Sequence, residues 1–176
     1  MLAYAAGEAS AFDALYARHK GAVFLYLRRQ TGNAALAEEL FQDVWLKLID
    51  ARAGYEPRAK FTTWLFTIAH NRLMDYFRSS ARAALLSYDD APVDDMPADW
   101  PRPEETALRR ETAARLLAAI DALPAAQREA FLLQQEGELS VEEIAQTTGV
   151  NRETAKSRLR YAMAKLRAEL REEART

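Results

Sequence analysis

The sequence predicts an all-α protein of two small helical domains joined by an acidic, proline-rich linker. Three observations carry this. Apolar residues recur at helical spacing along both halves. No stretch alternates apolar and polar residues as a half-buried strand does. Ser87–Glu105 holds four of the six prolines together with five Asp and two Glu. Proline at that density blocks a regular helix, and the acid keeps the segment extended and solvated. The predicted division is therefore 1–86 (an N-terminal helix bundle), 87–105 (linker) and 106–176 (a C-terminal four-helix domain).

The first predicted helix, or helix pair, is marked by Phe12, Leu15 and Tyr16, then Val23, Phe24 and Leu27. Gly32 breaks it and Asn33 caps the next. Ala37, Leu40, Phe41, Val44, Trp45 and Leu48 form a stripe at i, i+3, i+4 over three turns, wide enough to pack inward on one side and face a partner on another. Gly54–Lys60, with Pro57, reads as a loop. A further helix runs over Phe61–Arg78, with Leu65, Ala69, Leu73 and Tyr76 on its core face. Beyond the linker a helix is expected from about Pro103 to Ala122. Pro124 opens the next helix at its first position.

Leu139–Arg167 has the strongest local pattern. Ser140 with Glu143 three residues on is a capping box, so a helix starts at Val141. Gly149 supplies the positive φ that turns the chain, and Asn151 caps a second helix. On that helix Ala155, Leu159, Ala162, Met163, Leu166 and Leu170 share one side, while Glu153, Ser157, Arg160 and Ala164 point away, flanked by Thr154 and Lys156. This is the layout of a helix-turn-helix, whose second helix enters the major groove. Between Asn151 and Arg171 there are seven Lys or Arg against two Glu, a local charge of +5 in a chain of net charge −2. Arg152, Glu153, Thr154, Lys156, Ser157, Arg158 and Arg160 are the candidate DNA contacts; Lys165–Arg171 reads as a solvated end.

Composition excludes several classes. Cysteine is absent, so there are no disulfides and no thiolate chemistry, which fits a reducing cytoplasm. No apolar run is long enough to span a bilayer, and the N-terminus lacks the basic and apolar regions of a secretory signal, so no membrane insertion is expected. His19 and His70 are isolated and assemble no metal site; His19, in a basic run, reads as a surface residue. No paired catalytic carboxylates, activated nucleophile or glycine-rich phosphate loop appears. No enzyme activity, cofactor or metal is expected.

A second chemical clue lies after the proline loop. Trp64 and Asn71, seven residues apart, project from the same side of their helix. An aromatic beside an amide suits an unpaired base, the ring stacking and the amide bonding a base edge. Tyr55, Arg58 and Lys60 of the preceding loop add an aromatic and two phosphate partners. On pattern alone the alternative stays open that Trp64 is core and Asn71 a solvated polar residue. Also open are a dimeric helix-turn-helix regulator and a helical adaptor that never touches DNA.

Three segments in order narrow this: AEELFQDVWLKLID (Ala37–Asp50), FTTWLFTIAHNRLMDYFR (Phe61–Arg78) and LPAAQREAFLLQQEGELSVEEIAQTTGVNRETAKSRLRYAMAKLR (Leu123–Arg167). Together they resemble the extracytoplasmic-function (ECF) sigma factors, the two-domain form of the bacterial sigma-70 family. The resemblance implies a factor that binds core RNA polymerase and promoter DNA and directs transcription initiation. It implies that Glu38, Glu39, Leu40, Phe41, Asp43, Val44, Trp45 and Leu48 dock on the clamp helices of the largest polymerase subunit. Asn71, with Tyr55, Arg58 and Lys60, would capture a base flipped from the −10 element, with Trp64 beside it. The helix from Asn151 would read the −35 element as duplex. The linker resembles the segment that threads toward the active cleft and RNA exit path. An anti-sigma factor, the family's commonest control, enters as a further candidate partner. Two departures stand out. Ala155 replaces a usual larger aliphatic, and Glu153 lies in the reading face, where it can accept from a cytosine amino group or pair with a nearby Arg. The isolated, acidic chain is expected to bind DNA weakly, because phosphate contacts supply most non-specific affinity.

Overall fold

In the computed structural model, which describes residues 1–84 and 107–173, the chain is helical between short turns. The elements are α1 (Leu2–Ala5), α2 (Ala9–Thr31), α3 (Ala34–Asp50), a 3₁₀ turn (Ala51–Gly54), α4 (Phe61–Ala84), α5 (Ala107–Asp121), α6 (Ala125–Gly137), α7 (Val141–Thr148) and α8 (Arg152–Glu173). The expected linker Ser87–Glu105, with Met96 and Trp100, lies outside the described residues. So do the first residues of the helix expected from Pro103.

Local chemistry sets most boundaries. Gly32 closes α2 at φ 67°, and the Asn33 side chain accepts the Leu36 N–H at 3.0 Å to start α3. Both halves of the Ser140/Glu143 capping box are formed at α7, which ends at Gly149 with φ 67°. Asn151 Oδ1 accepts the Thr154 N–H at 2.8 Å and starts α8. These side chains satisfy N–H groups that a helix start leaves without partners. Pro124 differs slightly from expectation: it is extended, φ −53° and ψ 138°, and stands one residue outside α6 as its cap. The first helix proves continuous over 23 residues, and a short α1 precedes it.

Glu138, after α6, adopts a left-handed conformation at φ 53°. A residue with a Cβ pays about 1–2 kcal/mol there. Glu138→Gly removes that strain but gains unfolded-state freedom, so a net stabilisation of about 0.5–1 kcal/mol is expected in a urea melt. A loss of stability would show that the side chain itself matters.

The apolar faces meet in one core. Val23, Tyr26 and Leu27 of α2, Leu40, Val44 and Leu48 of α3, and Leu65, Phe66, Ala69 and Leu73 of α4 are fully or almost fully buried. They are continuous with Leu132 and Leu133 of α6, Ile144 of α7 and Ala155, Leu159 and Ala162 of α8. The N- and C-terminal halves therefore pack against each other: α6 lies along α2, and α7 and α6 lie against α4. Gly137 marks the tightest approach. A Cβ there would fall 3.1 Å from the Phe66 ring and 2.6 Å from Leu139 Cδ1.

Candidate functional site

The C-terminal reading surface is α8. Ala155, Leu159, Ala162 and Leu166 are buried, which turns the opposite line, Glu153, Arg160 and Ala164, to solvent, with Ser157 half-buried beside it. Ala145 of α7 is buried where α7 and α8 cross, as a close helix pair requires. Lys156 is exposed, and Thr154 and Arg158 are half-buried. Arg152 pairs with Glu142 of α7, and its other nitrogen lies 3.3 Å from Glu153. The Glu153 acid in the reading face is thus matched by its neighbouring Arg. The Arg160 guanidinium sits 5.0 Å over the exposed Tyr161 ring. Lys165, Arg167 and Arg171 are exposed along the far end.

The second cluster gathers around the loop before α4. Trp64 is half-buried, its ring 4.8 Å from Tyr55 edge-on and 6.0 Å from Phe61. Its place is between pure core and free surface. Asn71 is exposed two turns along the same helix. Arg58 pairs with Glu56 at 2.7 Å. His19, read from sequence as a surface residue, is instead half-buried against Phe61 at 5.2 Å. Burial pushes its pKa down first, and Arg18 adds to this.

Lys60 does not stand apart from the C-terminal half. Its ammonium lies 3.2 Å from Glu143 Oε2, and the Thr63 hydroxyl donates to Glu143 Oε1 at 2.8 Å. Beside them, Thr67 and Thr147 hydroxyls are 3.3 Å apart. Burial raises the Glu143 pKa, but the Ser140 backbone N–H, Thr63, Lys60 and the Ser140 hydroxyl outweigh it and hold the carboxyl at about 2. The folded value lies below the ordinary 4.5, so this stabilisation is fully present above about pH 4.5 and is lost as pH falls through about 2. The shift corresponds to at most about 3 kcal/mol. Urea melts should therefore show the wild type's advantage over Glu143→Gln shrinking between pH 4.5 and 2. A gap that stays constant with pH would refute this.

The third surface is α3. Leu40, Val44, Trp45 and Leu48 are at most 5% exposed and pack against neighbouring helices. Glu38 and Glu39 are exposed and Phe41 is half-buried. Asp43 is engaged by Arg72 of α4, so its charge already has an internal partner. Leu46, absent from the sequence reading, is 58% exposed. It rims an apolar groove with Tyr16, Phe41, Gln42, Trp45 and Ile49. As an apolar residue off the stripe that packs inward, it carries no periodic signal of its own.

Buried polar residues that carried no sequence signal join the halves. The Tyr26 hydroxyl donates to Glu129 Oε1 at 2.9 Å, and His70 Nδ1 lies 2.7 Å from the same oxygen. A carboxylate only accepts, so Nδ1 carries the proton. Burial, then the charge of Glu129 and its hydrogen bond, push the Tyr26 phenol well up, so it remains a donor. Arg29 meets Asp121 at 2.8 Å nearby. Among the described residues there is no group of His, Cys, Asp or Glu able to hold a metal, and no helix long and apolar enough to cross a membrane.

Comparison with known proteins places these surfaces in context. Residues 15–83 match the family Sigma-70 region 2, and residues 113–166 match Sigma-70, region 4. The chain is similar to RNA polymerase sigma factor CarQ of Myxococcus xanthus, with 36% identity over 164 residues, 92% of this chain and 90% of that protein. It is also similar to ECF RNA polymerase sigma factor SigK of Mycolicibacterium vanbaalenii, 30% identical over 162 residues, 91% of this chain and 82% of that one. Among solved structures it resembles the sigma factor RpoE, crystallised with the anti-sigma factor NepR from Bartonella quintana. The TM-score is 0.72 at 25% identity, covering 92% of this chain and 97% of that one.

Proposed function

Since the chain belongs to the ECF sigma factors of the sigma-70 family, directing promoter recognition and transcription initiation by RNA polymerase, we propose how its surfaces divide that work. Residues 1–86 act as the region 2-like domain, engaging core polymerase and the −10 element. Residues 106–176 act as the region 4-like domain at the −35 element, with 87–105 between them. The chain carries out no reaction of its own, and its place of action is the cytoplasm.

The observation that carries the reading is α8: a capped helix after a tight Gly149 turn, buried on one side and presenting Glu153, Lys156, Ser157 and Arg160 on the other. Those side chains, with Arg152, Thr154 and Arg158, meet duplex DNA, Lys and Arg on phosphates and guanine edges and Glu153 on a cytosine amino group. On α4, Asn71 bonds the edge of a base flipped from the −10 element, with the Tyr55–Trp64 pair beside it and Arg58 and Lys60 on phosphates. On α3, Glu38, Glu39, Phe41 and Leu46 face the polymerase clamp helices, with Asp43 shared between them and Arg72. An anti-sigma factor is the partner we assign to its control.

Runoff transcription with core polymerase on a randomised promoter library tests the whole reading. Transcripts that depend on the chain and share two spaced elements are expected; polymerase alone giving the same products would sink it. Asn71→Ala should lower open-complex formation about 10-fold, on the order of the 1–3 kcal/mol of one base contact, while −35 binding and polymerase assembly persist. Unchanged strand opening would remove Asn71 from the −10 site.

A further inference from the structure

An ion-pair chain spans the turn between α7 and α8. Arg152, the first residue of α8, is bonded through Nε to Glu142 of α7, and its Nη1 lies 3.3 Å from Glu153 Oε1. We propose that Arg152 and Glu153 act as one unit that reads a single C·G base pair of the −35 element, and that Glu142 is the positioning residue that holds them to it. This assignment holds only if α8 reads the −35 element, as proposed above.

The unit stands where a base reader must. Recognition helices present their N-terminal residues to base edges, and Arg152 and Glu153 open α8. All three side chains are more than half exposed, so DNA can reach them. Long charged side chains at such a place ordinarily lose rotamer freedom on binding. Here Arg152 is tied from both sides before DNA arrives. Its anchor is fixed in turn: Glu142 lies in the first turn of α7, beside the Ser140–Glu143 capping box. The bond from Arg152 holds the Glu142 carboxyl below its ordinary range, and the same bond raises the guanidinium. Both therefore stay charged.

Major-groove chemistry selects the base pair. The bonded pair sets an acceptor, Glu153, next to a donor, Arg152. A carboxylate has a second oxygen, and a guanidinium has N–H groups to spare after these bonds. On a C·G pair the cytosine amino donor lies beside the guanine O6 and N7 acceptors. The carboxylate then meets the donor and the guanidinium meets both acceptors. An A·T pair also sets an amino donor beside a carbonyl, but adenine N7 would face the carboxylate, acceptor to acceptor. The thymine methyl would stand where Arg152 needs its second acceptor. The guanidinium also offsets the repulsion that phosphates exert on a bare carboxylate. An acid in the reading face thereby becomes compatible with DNA.

The test uses the full chain with core polymerase. Open complexes are selected from a promoter library randomised through the −35 element, and the bound DNA is sequenced. The wild type should prefer C·G at one position by about tenfold or more, the scale of one base-reading pair. Glu153→Ala and Arg152→Ala should each abolish that preference. Glu142→Gln should weaken it about fivefold or more at the same position, while preferences elsewhere in the element persist. Glu142→Asp should keep part of it, and Glu142→Gln added to Glu153→Ala should lower it no further. If no C·G position responds to Glu153→Ala, the unit does not read a base pair. If Glu142→Gln leaves the preference intact, or erodes every position evenly as a loss of folding would, Glu142 does not position the reader. A wild type that selects a −10 element but no −35 preference at all would instead remove α8 from the −35 element, and this assignment with it.

Discussion

Phe66→Ala should lower the unfolding free energy by about 3–5 kcal/mol, the usual range for truncating a fully buried Phe. The ring is 0% exposed. It meets Tyr26 at 5.6 Å, nearly perpendicular, a geometry that contributes about 0.5–1.5 kcal/mol beyond buried area. The opposite side of the ring is sealed by Gly137. Removal leaves a hole where α2, α4 and α6 converge, and neither half can collapse into it without shifting the Tyr26–Glu129 hydrogen bond. Phe66→Leu, which keeps much of the volume, should cost less than half as much. The measurement is a urea melt followed by tryptophan fluorescence, with Trp45 and Trp64 reporting from the N-terminal half. A loss under about 1.5 kcal/mol would mean that the ring is not sealed as described.

Leu46→Asp should leave the melt unchanged within about 0.5 kcal/mol, as exposed positions generally do, yet weaken core polymerase binding 10- to 100-fold. The side chain is more than half exposed and rims the groove of Tyr16, Phe41, Trp45 and Ile49. An apolar anchor at the middle of an interface contributes about 2 kcal/mol or more, and a buried unpaired carboxylate adds a further penalty. Competition between labelled wild type and unlabelled variant for core polymerase reads the effect. Equal competition would move the docking face elsewhere. Glu38→Lys is the companion change; as a rim charge it should alter the salt dependence more than the affinity at physiological salt.

What the sequence revealed, and what it hid, follows the range of each interaction. The caps at Asn33, Ser140 and Asn151 act over three residues, so their residue types suffice to read them. The core side of α8 was legible because Ala155, Leu159, Ala162 and Leu166 lie on one strict line. The stripe on α3 was harder. Leu40, Val44, Trp45 and Leu48 share with Phe41 a face too wide for periodicity to divide between core and partner. Leu46 lay outside the pattern altogether. The joining of the two halves left no local trace. Tyr26 and Glu129 are 103 residues apart, and His70 and Glu129 are 59. Glu129, in QREAFLLQ, looks like any solvated helix acid until α2 and α4 are placed against it. The same holds for His19, whose burial depends on Phe61 folding back across α2.

Glu143 divides its two oxygens between two tasks. Oε2 accepts the Ser140 N–H and also faces Lys60, while Oε1 takes the Thr63 hydroxyl. The bond to Ser140 lies within α7's own first turn and does not involve α4. The first turn of the helix-turn-helix is thus held by its own residues. Under the proposed −35 reading, recognition at α8 would carry no cost of ordering a disordered segment. In that reading its affinity would be set by the bases it meets, not by how much of the domain must first be built.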